Sequence, residues 1–211
     1  MPLIYLNDLR LNAVIDGPAD GPAVVFLHAL GTNLSIWDQV VDLLPKSLRT
    51  LRIDQRGHGA SDVPEPPYTM GALIRDAERM IEHFGLRETV VVGLSLGGYV
   101  AFEIIRRAPT RVAALVLMDT SARPDTAEAR AGREALIELA ASDLDAVTEQ
   151  LLPRLSHPQR MNLPAVRGVI QSMARSLGKD VFIRQQRAIM GRPDSLPTLA
   201  TIDCPTLVVC G

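Results

Sequence analysis

Gly93-Leu94-Ser95-Leu96-Gly97-Gly98 follows the apolar run Thr89-Val90-Val91-Val92 and opens the helical pattern Leu96–Arg107, which Pro109 stops. A Gly-x-Ser-x-Gly set between a strand and a helix is the pattern of a nucleophile turn. The chemistry needs the serine hydroxyl to project from a turn so tight that its backbone is strained. Residues two before and two after must then be small, and Gly93 and Gly97 are. Gly98 adds room for the helix to approach. The N–H of Leu96, at the helix N-terminus, can donate to a developing oxyanion. A phosphate loop would require Gly-x-x-x-x-Gly-Lys-Ser/Thr, and no lysine follows. Ser95 is the candidate nucleophile.

Outward from this turn, Ala23–Leu27, Val112–Met118 and Thr206–Cys210 are further apolar runs, and Leu48–Ile53 is a weaker one. Continuous apolar runs fit strands buried on both faces. Leu3–Asn7 and Arg10–Ile15 read as two short strands joined by a turn at Asn7-Asp8. Helical patterns at Ser35–Leu44, Thr69–Phe84 and Leu96–Arg107 alternate with the runs. The alternation predicts an α/β fold with a mostly parallel, doubly wound sheet. It breaks after Met118. Amphipathic segments near Ala127–Ala141, Leu144–Leu155, Pro164–Leu177 and Val181–Met190 follow, and no strand pattern interrupts them. Four consecutive helices exceed one crossover, so a helical lid is expected after the sixth strand. The resulting division is 1–121 for the core sheet, 122–193 for the lid and 194–211 for the return to the core.

His28-Ala29-Leu30-Gly31 ends the first long apolar run. A second oxyanion donor must converge from another strand end, and Leu30 is the candidate, with Gly31 keeping the turn open. His28 at a strand end reads as a residue that pins a loop. Asp54-Gln55-Arg56-Gly57-His58-Gly59-Ala60-Ser61 follows the next strand. Asp54, His58 and Ser61 are too close along one loop to converge as a second catalytic set, so a hydrogen-bonded loop is expected.

Hydrophobic residues make up 47% and charged residues 22%, which fits a soluble globular protein. A net charge of −2 supplies no basic field, so no nucleic-acid partner is expected. No apolar run reaches the roughly 18 residues of a membrane span, and the N-terminal residues lack a signal-peptide pattern. Cys204 and Cys210 on one strand would lie roughly 20 Å apart, too far for a disulfide. A bridge-free chain fits a reducing cytoplasm. No metal site is expected.

His28-Ala29-Leu30-Gly31-Thr32-Asn33, Trp37, Asp54 to Ser61, Pro67-Tyr68-Thr69 and Gly93 to Gly98 occur in this order. Together they resemble the α/β-hydrolase superfamily, closest to its 3-oxoadipate enol-lactonase and small carboxylesterase branch. The resemblance is specific from His28 to about Ser121 and loose through the lid. It implies Ser95 as nucleophile, Leu30 and Leu96 as oxyanion donors, a lid after the sixth strand, and no cofactor. The implied substrate is a small carboxylic ester or lactone cleaved by acyl transfer. Thioester hydrolysis, carbon–carbon bond hydrolysis and cofactor-free perhydrolysis are the alternatives within the same fold. Arg123, Arg133, Arg187 and Arg192 could meet a substrate carboxylate or lie on solvated helix faces.

In such families an acid and then a histidine follow the serine. The resemblance puts the acid after the strand Thr206–Cys210 and the histidine beyond one further strand. The sequence ends at Gly211, before either, as if cut at its penultimate core strand, with the last strand and helix missing. Asp119, at the end of Val112–Met118, is the remaining candidate acid, though a loop-capping role fits it as well. None of His28, His58, His83 and His157 is a good base. A non-catalytic fragment is therefore a further reading. An open apolar edge at Thr206–Cys210 would favour self-association or a complementing C-terminal segment.

Overall fold

The computed structural model describes residues 3–6 and 8–211. The chain runs β1 (Leu3–Leu6), β2 (Leu9–Asp16), β3 (Ala23–Leu27), α1 (Asp38–Leu43), β4 (Arg49–Ile53), α2 (Met70–His83), β5 (Thr89–Leu94), α3 (Leu96–Arg107) and β6 (Val112–Met118). Then come α4 (Ala127–Ser142), α5 (Leu144–Leu155), α6 (Pro164–Leu177), α7 (Lys179–Met190), α8 (Leu196–Leu199) and β7 (Thr206–Val209). Asn7, half of the expected turn Asn7-Asp8, lies outside the described residues.

The strands form one seven-stranded sheet in the order β1-β2-β4-β3-β5-β6-β7. β2 is antiparallel to both its neighbours, and every pairing from β4 to β7 is parallel. β3 lies between β4 and β5, so the chain leaves it first to one side and later to the other. The carboxyl ends of β3 and β5 therefore flank a topological switch point, the place where open α/β sheets bind ligands. Leu27 pairs with Gly93 there, which puts the turns after both strands side by side.

Side chains alternate across this sheet. Val25, Leu27, Leu51, Val91 and Leu115 are fully or nearly fully buried against α2 and α3 in the main core. The opposite face carries a smaller core of Val24, Phe26, Trp37 and Val92. The segment expected as one helix over Ser35–Leu44 is a 3-10 turn, Leu34–Trp37, followed by the short α1. The Asn33 side chain accepts from Ser35 N, and Trp37 turns inward to Phe26 with ring centroids 5.1 Å apart. A long helix would carry Trp37 off that contact. Leu94, Val116 and Met118 on this face remain only half-buried. β7 pairs with β6 on one side and is exposed along its length, with Val208 69% exposed.

Helices α4 to α7 occupy the β6-to-β7 connection. Thr126 and Asp143 cap α4 and α5 by accepting from Ala129 N and Ala146 N. No helix among the described residues is long and apolar enough to cross a membrane.

Candidate active site

Ser95 has φ 50 and ψ −107, one of two non-glycine residues with positive φ among the described residues, the other being Asp119 at φ 43. A side chain in this region is strained by about 1–3 kcal/mol and persists only where surroundings impose it. The close approach of β3, β5 and α3 imposes it. A Cβ at Gly97 would stand 2.0 Å from the Leu27 carbonyl oxygen, and one at Gly93 would stand 2.5 Å from the Gly97 carbonyl oxygen. A Cβ at Gly98 would meet the Thr120 side chain at 2.4–2.6 Å. The Gly98 Cα itself would lie 2.7 Å from a Cβ at Gly93, so α3 and β5 approach closely there, and Thr120 takes the space on the other side of Gly98.

The Ser95 N–H donates to Met118 O at 2.9 Å, and its carbonyl accepts from Gly98 N at 2.9 Å and Tyr99 N at 3.2 Å. The Ser95 side chain is half-buried. Leu96 is the first residue of α3, where an N–H has no partner within the helix. Leu30 is half-buried in the turn after β3, which Thr32 N closes on Ala29 O at 3.3 Å. Gly31 has φ +79, and a Cβ there would meet nothing within 4 Å, so backbone conformation and not space calls for glycine. The pair of turns offers a strained hydroxyl beside a helix N-terminus. That arrangement suits nucleophilic attack on a carbonyl.

Residues 22–201 match the family described as alpha/beta hydrolase fold. The chain belongs to that family. It is 32% identical over 131 residues to 3-oxoadipate enol-lactonase 2 of Acinetobacter baylyi, a match covering 62% of this chain and 49% of that protein. It is 30% identical to the pimeloyl-[acyl-carrier protein] methyl ester esterase of Chromobacterium violaceum, across 95% of this chain and 79% of that one. The crystal structure of the enol-lactonase from Burkholderia xenovorans LB400 superposes with a TM-score of 0.89 at 29% identity, covering all of this chain and 81% of that one. The chain thus spans about half of the first of these relatives and about four fifths of the other two.

In this α/β hydrolase the loop after β4 buttresses the turn after β3. Asp54 is buried, and its carboxylate accepts from Leu34 N at 2.7 Å, Asn12 Nδ2 at 2.7 Å and Ala60 N at 3.0 Å. Ser61 Oγ donates to Asp54 O at 2.6 Å and accepts from Asn12 N at 2.9 Å. Arg56 grips Asp76 of α2 with two bonds, at 2.6 and 2.8 Å, and its carbonyl accepts from Gln185 Nε2 of α7 at 2.9 Å. The loop therefore sits between α2 and α7. Asp54→Asn keeps one oxygen, which can still serve Asn12 Nδ2 and Ala60 N, but turns its amide nitrogen toward the Leu34 N–H. It should cost about 2–3 kcal/mol of stability, read from urea unfolding midpoints.

His28 is fully buried, with Nε2 accepting from Gln55 N at 3.0 Å and Nδ1 donating to Ala29 O at 2.8 Å. Both ring nitrogens are committed to the loop. The His58 ring meets it edge-on at 4.7 Å and is equally buried. Burial lowers the pKa of His28 against the opposing pull of Ala29 O and Asp54. Burial and then His28 lower that of His58 well below its ordinary value. Both are therefore neutral in the folded state. The unfolded chain binds more protons below about pH 6.5, so stability is full above that value and falls as pH drops through it. His58→Phe should shrink the Tm loss between about pH 7.5 and 5.5, measured by thermal unfolding at both pH values. An unchanged loss would mean that other groups carry it.

His83 lies exposed at the end of α2, next to the start of β5 and hence at the end of the sheet opposite Ser95. His157 is exposed after α5, its Nδ1 accepting from Gln159 N at 3.3 Å. Asp119 is exposed, with its N–H on Val209 O at 3.0 Å and its Oδ1 accepting from Gly211 N at 2.8 Å. Of the four arginines considered for a substrate carboxylate, Arg123 and Arg187 are exposed. Arg133 and Arg192 instead converge on Asp125, each at 2.7 Å. Burial would raise the Asp125 pKa, but the two guanidiniums outweigh it and hold the carboxyl below its ordinary range. Arg192 also stacks on Tyr99, 4.5 Å from its ring centroid. This clamp ties the end of α7 to α3 and the loop after β6. No sequence spacing announces it, because Asp125 and Arg192 are joined only by the fold.

Proposed function

We propose that the protein is a serine hydrolase that cleaves a small carboxylic ester or lactone through an acyl intermediate on Ser95. The observation that carries this reading is the strained Ser95 turn at the switch point, at the head of α3 and beside the turn after β3. Ser95 Oγ attacks the carbonyl carbon, and the carbonyl electron pair moves to its oxygen. The N–H groups of Leu30 and Leu96 hold that oxyanion. Collapse of the intermediate breaks the carbon–oxygen bond, and the general base returns the Ser95 proton to the leaving oxygen, which departs as the alcohol or, for a lactone, stays on the acyl group as a hydroxyl. Water then attacks the acyl group and frees the acid and Ser95.

The names of the relatives, an enol-lactonase and a methyl ester esterase, support the substrate class. The Ser95 proton must pass to a general base. His28 is excluded from that role by its two loop hydrogen bonds and His58 by its burial against His28. The test is labelling with a fluorophosphonate, peptide mapping of the adduct, and turnover of p-nitrophenyl acetate, a short aliphatic lactone and a matched thioester. An adduct on Ser95 with ester and lactone turnover is expected. No adduct, or turnover confined to the thioester, would overturn the reading.

A further inference from the structure

We infer that Thr120 is a positioning residue for the nucleophile, acting through the Ser95 carbonyl; this rests on Ser95 having the role proposed above. Thr120 Oγ1 donates to Ser95 O at 2.9 Å, across 25 positions of sequence. Its side chain fills the notch left by Gly98, where a Cβ would come within 2.4–2.6 Å of the Thr120 Oγ1, Cβ and Cγ2 atoms. The same strand end takes the other backbone group of the nucleophile, since Ser95 N donates to Met118 O at 2.9 Å. Both peptide groups flanking the strained serine are therefore held by β6 and the residues that follow it.

The Ser95 carbonyl accepts three bonds, from Gly98 N, Tyr99 N and Thr120 Oγ1. The first two belong to the opening turn of α3 and would form in any helix start. They do not select the value of φ at Ser95. The third comes from the loop after β6, outside α3, and fixes where the carbonyl points, and with it the direction of the hydroxyl. The strand end is itself secured. Asp119, between Met118 and Thr120, has positive φ and is tied to β7 through Asp119 N on Val209 O at 3.0 Å. Ser195 N donates to Ala122 O at 2.9 Å just beyond.

Thr120→Val keeps the shape that fills the Gly98 notch and removes the donor. Thr120→Ser keeps the donor and removes the methyl. For p-nitrophenyl acetate, Thr120→Val should lower kcat about tenfold with KM within about twofold, and Thr120→Ser should restore most of kcat. A packing role predicts the reverse order, with Ser the weaker variant and Tm falling with kcat. Equal kcat in Thr120→Val and the unsubstituted chain would overturn the inference. If the unsubstituted chain gives no Ser95-dependent turnover or labelling, it is the proposed function that fails. Positioning is then read by hydrogen exchange, independent of activity. Thr120→Val should speed exchange of the Gly98 and Tyr99 amides several-fold while Ala101–Ile104 stay unchanged. Uniform exchange across α3 would refute it.

Discussion

Ser95→Ala should abolish the serine-dependent part of p-nitrophenyl acetate hydrolysis while leaving the unfolding midpoint nearly unchanged. The loss follows from removing the atom proposed to form the covalent bond to the acyl group. The small effect on stability follows from the backbone, because alanine at φ 50 carries the same Cβ strain as serine. Ser95→Gly separates the two effects. Glycine accepts φ 50 without a Cβ penalty, so it should lose activity equally and gain up to about 1 kcal/mol of stability. Steady-state kinetics with thermal unfolding of the three proteins checks both. Residual activity within tenfold in Ser95→Ala would mean that hydrolysis occurs elsewhere.

Gly97→Ala should be the most damaging single methyl that can be added to the core, costing about 4 kcal/mol or more. The new Cβ would stand 2.0 Å from Leu27 O and 2.5 Å from Leu27 C. That carbonyl belongs to β3, which is paired with β4 on one side and β5 on the other. Relief would require a central strand or α3 to move, not a side chain. Gly132→Ala is the control. It sits inside α4 with nothing within 4 Å of its Cβ, so it should gain about 0.5–1 kcal/mol from helix propensity. Urea unfolding of both variants reads the contrast. A loss below about 2 kcal/mol for Gly97→Ala would show that the strand end yields.

The features legible in the sequence are those whose causes are local. The buried strands show as apolar runs, and the Ser95 turn shows because the glycines that answer its steric demands fall within five consecutive residues. Gly93 answers a close approach within the turn, to Gly97 O, whereas the neighbour that requires Gly97, Leu27 O, lies on β3. What stays hidden depends on chain segments meeting across the fold. Thr120 has no mark beyond following Asp119, yet it bonds the Ser95 carbonyl. Arg133 and Arg192 look like solvated or substrate-facing charges, because Asp125 meets them only once α4 and α7 are packed. Periodicity places Trp37 in a long helix, and its packing on Phe26 shortens that helix. Composition around Asp54 points to a bonded loop, but its distant donors, Asn12 and Leu34, carry no local signal.

The β6-to-β7 connection leaves and re-enters the sheet at adjacent, in-register parallel strands. Leu115 N on Pro205 O at 2.9 Å and Asp119 N on Val209 O at 3.0 Å fasten its two ends. With the ends so fixed, the closure entropy of what lies between grows only with the logarithm of its length. The length of the stretch from α4 to α8 is therefore weakly constrained by closure, while its contacts are not: Gln185 on the Arg56 carbonyl and Arg192 on Tyr99 bind it to the loop after β4 and to α3. Replacing it should carry a penalty set by those contacts and not by the number of residues inserted.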